Sequence, residues 1–352
     1  MLPLESYTKM KFEAVTIKDI AKALNLSTST ISRALRDSSE ISEETKKLVQ
    51  DYAQKMNYKP NPIALSLKER RSHTIGVVVC EIANSFFSQT INGIESIASK
   101  SGYNVIITQS MESFDREVSN LQYLTSRSVD GLIVTVSTET NDFSLLKDLH
   151  EKGMPIVFFD RIVDEIDTHK VIANNYKGAY EATEHLIKDG YKKIALVSNA
   201  PVLSIAKERE SGYKAALQDH GISIDESLIK YCEHSGMRSN EVDTVVASLM
   251  NGPNKPDAIF AASDKITTSV LRYLKENKVK VPEEVALIGF SNSELTDLLS
   301  PALSVVKQPA FEMGEIATDL LLQLVESRRP VTEFETRVLS TELIVRSSTA
   351  KN

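Results

Sequence analysis

The stretch that most constrains this 352-residue chain is Thr16–Arg36, TIKDIAKALNLSTSTISRALR. Ile17, Ile20, Ala21 and Leu24 recur at i, i+3, i+4 and i+7, the spacing of one apolar helix face. Asn25 tolerates the left-handed backbone of a sharp corner, and Leu26 fills the space beneath it. Ser27 then caps a second helix, in which Ile31, Ala34 and Leu35 turn inward. Thr28, Ser29, Ser32, Arg33 and Arg36 remain on its outer face. Two short helices joined this way form a helix-turn-helix, whose second helix fits the major groove of DNA. In isolation the pattern also fits an αα-hairpin of an ordinary core, so the rest of the chain has to decide.

The next forty residues support a separate head. Asp37–Ile41 reads as a loop, and Ser42 caps a third helix with Glu43 and Glu44 in its first turn. Leu48, Val49, Tyr52, Ala53 and Met56 are expected to close that helix over the other two. The head then spans residues 15–60, behind a flexible leader of residues 1–14 in which Met10 is an alternative start. Residues 61–72 read as a hinge. Asn61 can cap and Pro62 can begin a helix that runs only to about Lys68, too short to be stable alone in water.

The net charge of −7 hides an asymmetry. Residues 15–72 carry eleven basic and seven acidic side chains, net +4, which leaves −11 for residues 73–352. A basic head on an acidic body suits a head that meets phosphates. Cys80 and Cys232 cannot build a disulfide framework and have no metal-ligand spacing. No signal-peptide pattern opens the chain and no apolar run reaches membrane-spanning length, so a cytoplasmic protein with no membrane contact is expected.

From Thr74 short apolar runs alternate with helical patterns, the signature of parallel sheets wrapped by helices. Some ten strand candidates, from Ile75–Cys80 to Ser304–Val306, are too many for one sheet. Residues 73–352 are therefore expected to form two α/β lobes, about 73–170 plus 302–330 and 171–301 plus 334–347. Ligands of such folds sit outside the carboxyl ends of the strands, here between the lobes. The chain lacks GxGxxG after a strand, GxxxxGK[ST], GxSxG and HExxH, and its six histidines are scattered. Neither catalysis nor a cofactor or metal is expected.

The order of these parts resembles the lactose repressor/galactose repressor (LacI/GalR) family of transcription regulators. The similarity is carried by VTIKDIAKALNLSTSTISRAL, by NYKPNPIALSL, and by VDGLI, PIVFFDR, RESGY, VPEEVALIGF and KQP in the body. It implies an all-α helix-turn-helix domain followed by a two-lobed α/β domain like the periplasmic binding proteins. It also implies a homodimer on near-palindromic operator DNA, controlled by a small molecule between the lobes. Base-reading positions fall on Thr28, Ser29 and Arg33, and the hinge leucine that wedges into the minor groove falls on Leu67, beside Lys68 and one turn after Ala64. Thr16, Ser27, Thr30, Ser32 and Asn61 complete the set expected at DNA. Effector-facing positions fall on Asn84, Phe86, Phe87, Asp160, Arg161, Arg209, Asp264, Ser291 and Gln308, one of the two phenylalanines being expected as plain core. An Arg209 salt bridge to Glu208 or Glu210 is the competing reading of that residue.

This sequence departs from the family pattern at Leu65, at Thr267 and Ser269, and at Ser291-Asn292, where the family places a ligand-binding aspartate. A saccharide is the preferred effector, because hydroxyl-rich ligands suit Asn, Asp, Arg and Gln around phenylalanine. A purine or a protein co-regulator stays open, as does the direction of the response. A secreted sugar-binding protein shares the two-lobed body but has no use for the head.

Overall fold

The computed structural model describes residues 15–59, 71–238 and 240–350. They divide between two compact units, Met1–Ser72 and His73–Asn352. In the first, α1 (Ile17–Leu24), α2 (Thr28–Ala34) and α3 (Glu43–Lys55) follow local signals. Thr16 and Asp19 form a reciprocal capping box on α1, with Thr16 N donating to Asp19 Oδ2 at 2.8 Å and Asp19 N to Thr16 Oγ1 at 3.4 Å. Asn25 ends α1 in the left-handed region, at φ 52°. Ser27 and Ser42 cap the next two helices.

Ile20, Ile31, Ala34, Val49 and Ala53 form the buried centre of this head. Leu48 and Met56, expected inside, are instead 52% and 38% exposed. Val49 and Ala53 hold the inner stripe of α3, and Leu48 sits about 100° round the helix from Val49. The stripe is extended by Lys46, which is buried and whose ammonium meets Asp37 at 2.8 Å and Glu43 at 2.7 Å.

The second unit contains two six-stranded sheets. Its strands are β1 (Thr74–Val79), β2 (Asn104–Gln109), β3 (Gly131–Val134), β4 (Ile156–Phe159), β5 (Lys170–Ala173), β6 (Ile194–Asn199), β7 (Ile229–Cys232), β8 (Ala258–Ala261), β9 (Ala286–Phe290), β10 (Ser304–Lys307), β11 (Thr336–Leu339) and β12 (Glu342–Ile344). The helices are α4 (Ser85–Lys100), α5 (Phe114–Ser126), α6 (Ser144–Glu151), α7 (Asn175–Lys188), α8 (Ser204–Asp219), α9 (Glu241–Met250), α10 (Asp264–Glu276) and α11 (Ala310–Glu326). The first sheet runs β11-β5-β4-β3-β1-β2 and the second β12-β10-β9-β8-β6-β7, parallel throughout except for the β10–β12 pair. Strands such as GLIV and IVFF are buried at every position, because helices cover both faces.

The assignment of segments to lobes differs from the sequence expectation in three places. Val171–Ala173 belongs to the first sheet, where β5 pairs with β4 and β11 and buries Val171 and Ala173. Of residues 302–330 only α11 joins the first lobe, while β10 extends the second sheet beside β9. Residues 334–347 are split, β11 joining the first sheet and β12 the second. An open sheet edge recruits whichever strand can satisfy its hydrogen bonds, irrespective of sequence order. The chain thus crosses between lobes after β5, between β10 and α11, and between β11 and β12.

Helices α4 and α11 touch backbone to backbone. A Cβ on Gly93 would lie 2.0 Å from Phe311 O, and one on Gly314 2.1 Å from Thr90 O. Neither carbonyl can move without breaking its helix. Gly314→Ala is therefore expected to destabilise the body by about 1–3 kcal/mol, the usual scale of overpacking, read as a lower thermal midpoint.

Candidate DNA-reading helix and ligand cleft

The outer face of α2 carries two kinds of side chain. Thr28 and Ser29 are exposed on its first turn, and Arg33 is exposed one turn later. Arg33 Nη1 lies 3.0 Å from Glu40 Oε2, with both side chains more than half exposed. Such a pair is weak in water and yields readily to another acceptor. The remaining hydroxyls shape the helices. Ser27 Oγ accepts from Thr30 N at 3.0 Å and lies 2.8 Å from Thr30 Oγ1, while Thr16 Oγ1 donates to Asp19 at 2.7 Å. Ser32 binds Arg36 through its hydroxyl and through its carbonyl, the latter at 3.0 Å. Asn61, Ala64, Leu67 and Lys68 lie outside the described residues.

In the body, polar groups gather where the carboxyl ends of the two sheets face each other. Asn84 caps α4, its side chain accepting from Phe86 N. Phe86 and Phe87 are both buried, edge to face with each other, and Phe87 also meets Phe159. Both belong to the first-lobe core.

Asp160 follows β4 in the left-handed region, at φ 59°, and its Oδ1 accepts from Gln308 Nε2 at 3.5 Å. Burial pushes its carboxyl up, against the opposing charges of Arg209 and Arg161. Arg161 is occupied: its Nη1 and Nη2 grip Glu112 at 2.6 and 2.9 Å. Burial disfavours the charge on Arg161, but Cys80, Glu112 and Asp160 outweigh it and raise its basicity.

Arg209 is 2% exposed and pairs with neither Glu208 nor Glu210. Its Nε donates to Asn175 Oδ1 at 2.9 Å, its Nη1 to Ala262 O at 2.5 Å, and its guanidinium lies 3.8 Å over the Phe290 ring. Glu208 bonds Asn175, and Glu210 bonds Tyr231 and Lys214. Burial pushes Arg209 down to about 10. Asp264 begins α10, takes a hydrogen bond from Ser291, and is pushed up by burial. Thr267 bonds the carbonyls of Ser263 and Phe290, at 2.7 and 2.9 Å, clipping the ends of β8 and β9 together.

Sequence reasoning missed several participants. Asn292 Nδ2 donates to Gln89 Oε1 and to Gln308 O, both at 2.8 Å, tying α4 of one lobe to the other. Lys265 reaches Glu81 at 3.0 Å, and Thr138 and Ser235 share a 2.6 Å hydroxyl bond across the seam. Arg161 Nε, Ser198 Oγ, Asn199 Oδ1 and Ser263 Oγ are buried without a hydrogen-bond partner among the described residues. Unsatisfied buried polar atoms are rare, and these four lie at or just beyond the carboxyl ends of β4, β6 and β8. The signal for Ser198 and Asn199 was present, as a polar pair ending the apolar run IALVSN.

The ionised form of Asp160 works against folding, because its carboxyl titrates higher in the folded chain than in the unfolded one. Asp160→Asn is accordingly expected to be more stable than the parent at pH 7, read as a higher thermal midpoint. The gap should narrow as pH falls and close below the ordinary carboxylate range, where Asp160 is protonated in both states. Thermal melts across pH read this directly.

Residues 16–61 match the family model described as bacterial regulatory proteins, lacI family, and residues 183–349 match a periplasmic binding protein-like domain. The transcriptional repressor PurR of Vibrio atlanticus is 31% identical over 339 residues, covering 95% of this chain and 98% of its own. The ribose operon repressor of Haemophilus influenzae is 31% identical over 334 residues, with coverage of 95% and 98%. A transcriptional regulator CelR–cellobiose complex matches at TM-score 0.70 and 28% identity, covering 95% of this chain and 99% of its own. No helix among the described residues is long and apolar enough to cross a membrane. Similarity over nearly the full length, with head and body in the same order, places this chain in the LacI family of helix-turn-helix transcriptional regulators, not among enzymes.

Proposed function

We propose that this chain is a cytoplasmic, homodimeric repressor that reads a near-palindromic operator and is controlled by a saccharide bound between its lobes. On the DNA side, the reading rests on the exposure of Thr28, Ser29 and Arg33 along one face of a capped α2. Arg33 pairs with guanine O6 and N7, while the less selective hydroxyls adjust register. Leu67, outside the described residues, is assigned the wedge in the minor groove. Two-fold symmetry in the protein imposes two-fold symmetry on the operator.

The effector reading rests on the unpartnered buried atoms of Ser198, Asn199 and Ser263 beside the polar strand ends. A ligand with many hydroxyls can satisfy donors and acceptors from both lobes at once. The names of the ribose operon repressor and of the CelR–cellobiose complex point the same way. Effector binding biases the seam between the lobes, and coupling of about 1–3 kcal/mol would change operator affinity roughly 5–150-fold.

Two experiments test these roles. Arg33→Ala should relax preference at one base pair per half-site, by about 1–3 kcal/mol of discrimination, in binding measured against operator variants at fixed salt. Unchanged preference removes Arg33 from the readout. A thermal-shift panel of sugars, sugar phosphates and purines should give its largest stabilisation with a sugar, about 2.7 kcal/mol at a hundredfold excess over Kd. Arg209→Lys keeps the charge but loses the fork geometry, and it should lose that stabilisation while still binding operator. A purine as the strongest stabiliser would replace the saccharide assignment.

A further inference from the structure

Glu112 was not among the residues expected at the cleft, yet it is the best-connected acid there. Its Oε1 accepts from Arg161 Nη2, and its Oε2 accepts from Arg161 Nη1, from Thr138 N at 2.8 Å and from Thr138 Oγ1 at 2.9 Å. Thr138 in turn meets Ser235 of the other lobe, so this carboxylate sits one residue from the seam. Met111 and Glu112 are consecutive non-glycine residues in the left-handed region, at φ 53° and 61°. A strained backbone of this kind persists only where the surroundings impose it, and such strain clusters at ligand sites.

We propose that Glu112 determines the charge class of the effector: its carboxylate neutralises Arg161 from within, so the cleft takes an uncharged polyhydroxyl ligand and rejects one bearing a carboxylate or phosphate. The inference rests on the proposed binding of the effector between the lobes. Arg161 follows β4 beside Asp160, at the carboxyl end of the first sheet, where its fork would otherwise hold an anionic ligand group. With Glu112 in place, both Nη groups of Arg161 are already taken by a carboxylate of the same lobe. An incoming anion would meet the buried Glu112 carboxylate and find the Arg161 fork already occupied. Selection against the wrong ligand by a built-in like charge is a common device of specific sites.

The test compares matched pairs, glucose with glucuronate and galactose with galacturonate, on the full-length protein and on Glu112→Gln. With the parent, the neutral member of any binding pair should bind at least tenfold tighter by calorimetry. Glu112→Gln should narrow or reverse that ratio and should also gain saturable thermal stabilisation by acetate or inorganic phosphate. That gain should be absent from the parent and from the double variant Glu112→Gln/Arg161→Gln. A parent that prefers the acid, or an acetate response equal in parent and Glu112→Gln, overturns the proposal. If no sugar binds the parent, the effector reading fails while the acetate comparison still decides the role of Glu112. A Glu112→Gln chain that folds only with acetate or phosphate, and not in chloride of equal ionic strength, supports it. One that folds under no anion overturns it.

Discussion

Each sheet of the body buries a guanidinium at its carboxyl end, and the architecture there follows from how each charge is satisfied. A buried, unpaired arginine is strongly destabilising, so its surroundings must supply acceptors of good geometry. Around Arg161 they come as a carboxylate, Glu112, whose remaining lone pairs are taken by Thr138. Around Arg209 they come as neutral groups, Asn175 and the Ala262 carbonyl, with the Phe290 face beneath. The first arrangement cancels its charge locally. The second leaves Arg209 to feel Asp160, whose carboxyl is pushed up by burial.

That difference explains why the seam is polar without being a simple row of salt bridges. Among the described residues, the ties between lobes include Gln89–Asn292, Thr138–Ser235 and the Glu81–Lys265 pair. Each is short and individually modest, the kind of contact that can be exchanged for contacts to a ligand. The three chain crossings sit at one side of both sheets, through β5, β10 and the β11–β12 connection. Motion of one lobe against the other is therefore constrained at that side and freer at the strands farthest from it, β2 and β7.

Much of this was legible in the chain. The caps at Ser27 and Ser42 and the left-handed corner at Asn25 use neighbours three or four residues apart, and short-range chemistry suffices to read them. The buried strands were visible because parallel sheets covered on both faces need unbroken apolar runs. Leu48 was misread because an apolar residue one step from the true stripe satisfies a loose helical count as well as Val49 does. Arg209 and Asp160 were named through the family resemblance carried by RESGY and PIVFFDR. Glu112 was not, because its partner is 49 residues away, beyond a different strand, and no periodicity links them.

The sequence by itself determined the head's three helices, the alternation of strands and helices, and the family, since all three are written in local pattern and ordered motifs. Tertiary structure alone decided which lobe owns β5, β10 and β11, because strand ownership is set by open hydrogen-bonding edges. It also decided that Arg161 is spoken for while Arg209 is held only by neutral partners. Those assignments depend on distances between side chains remote in sequence, and burial makes such distances decisive by stripping away the water that would otherwise satisfy any charge.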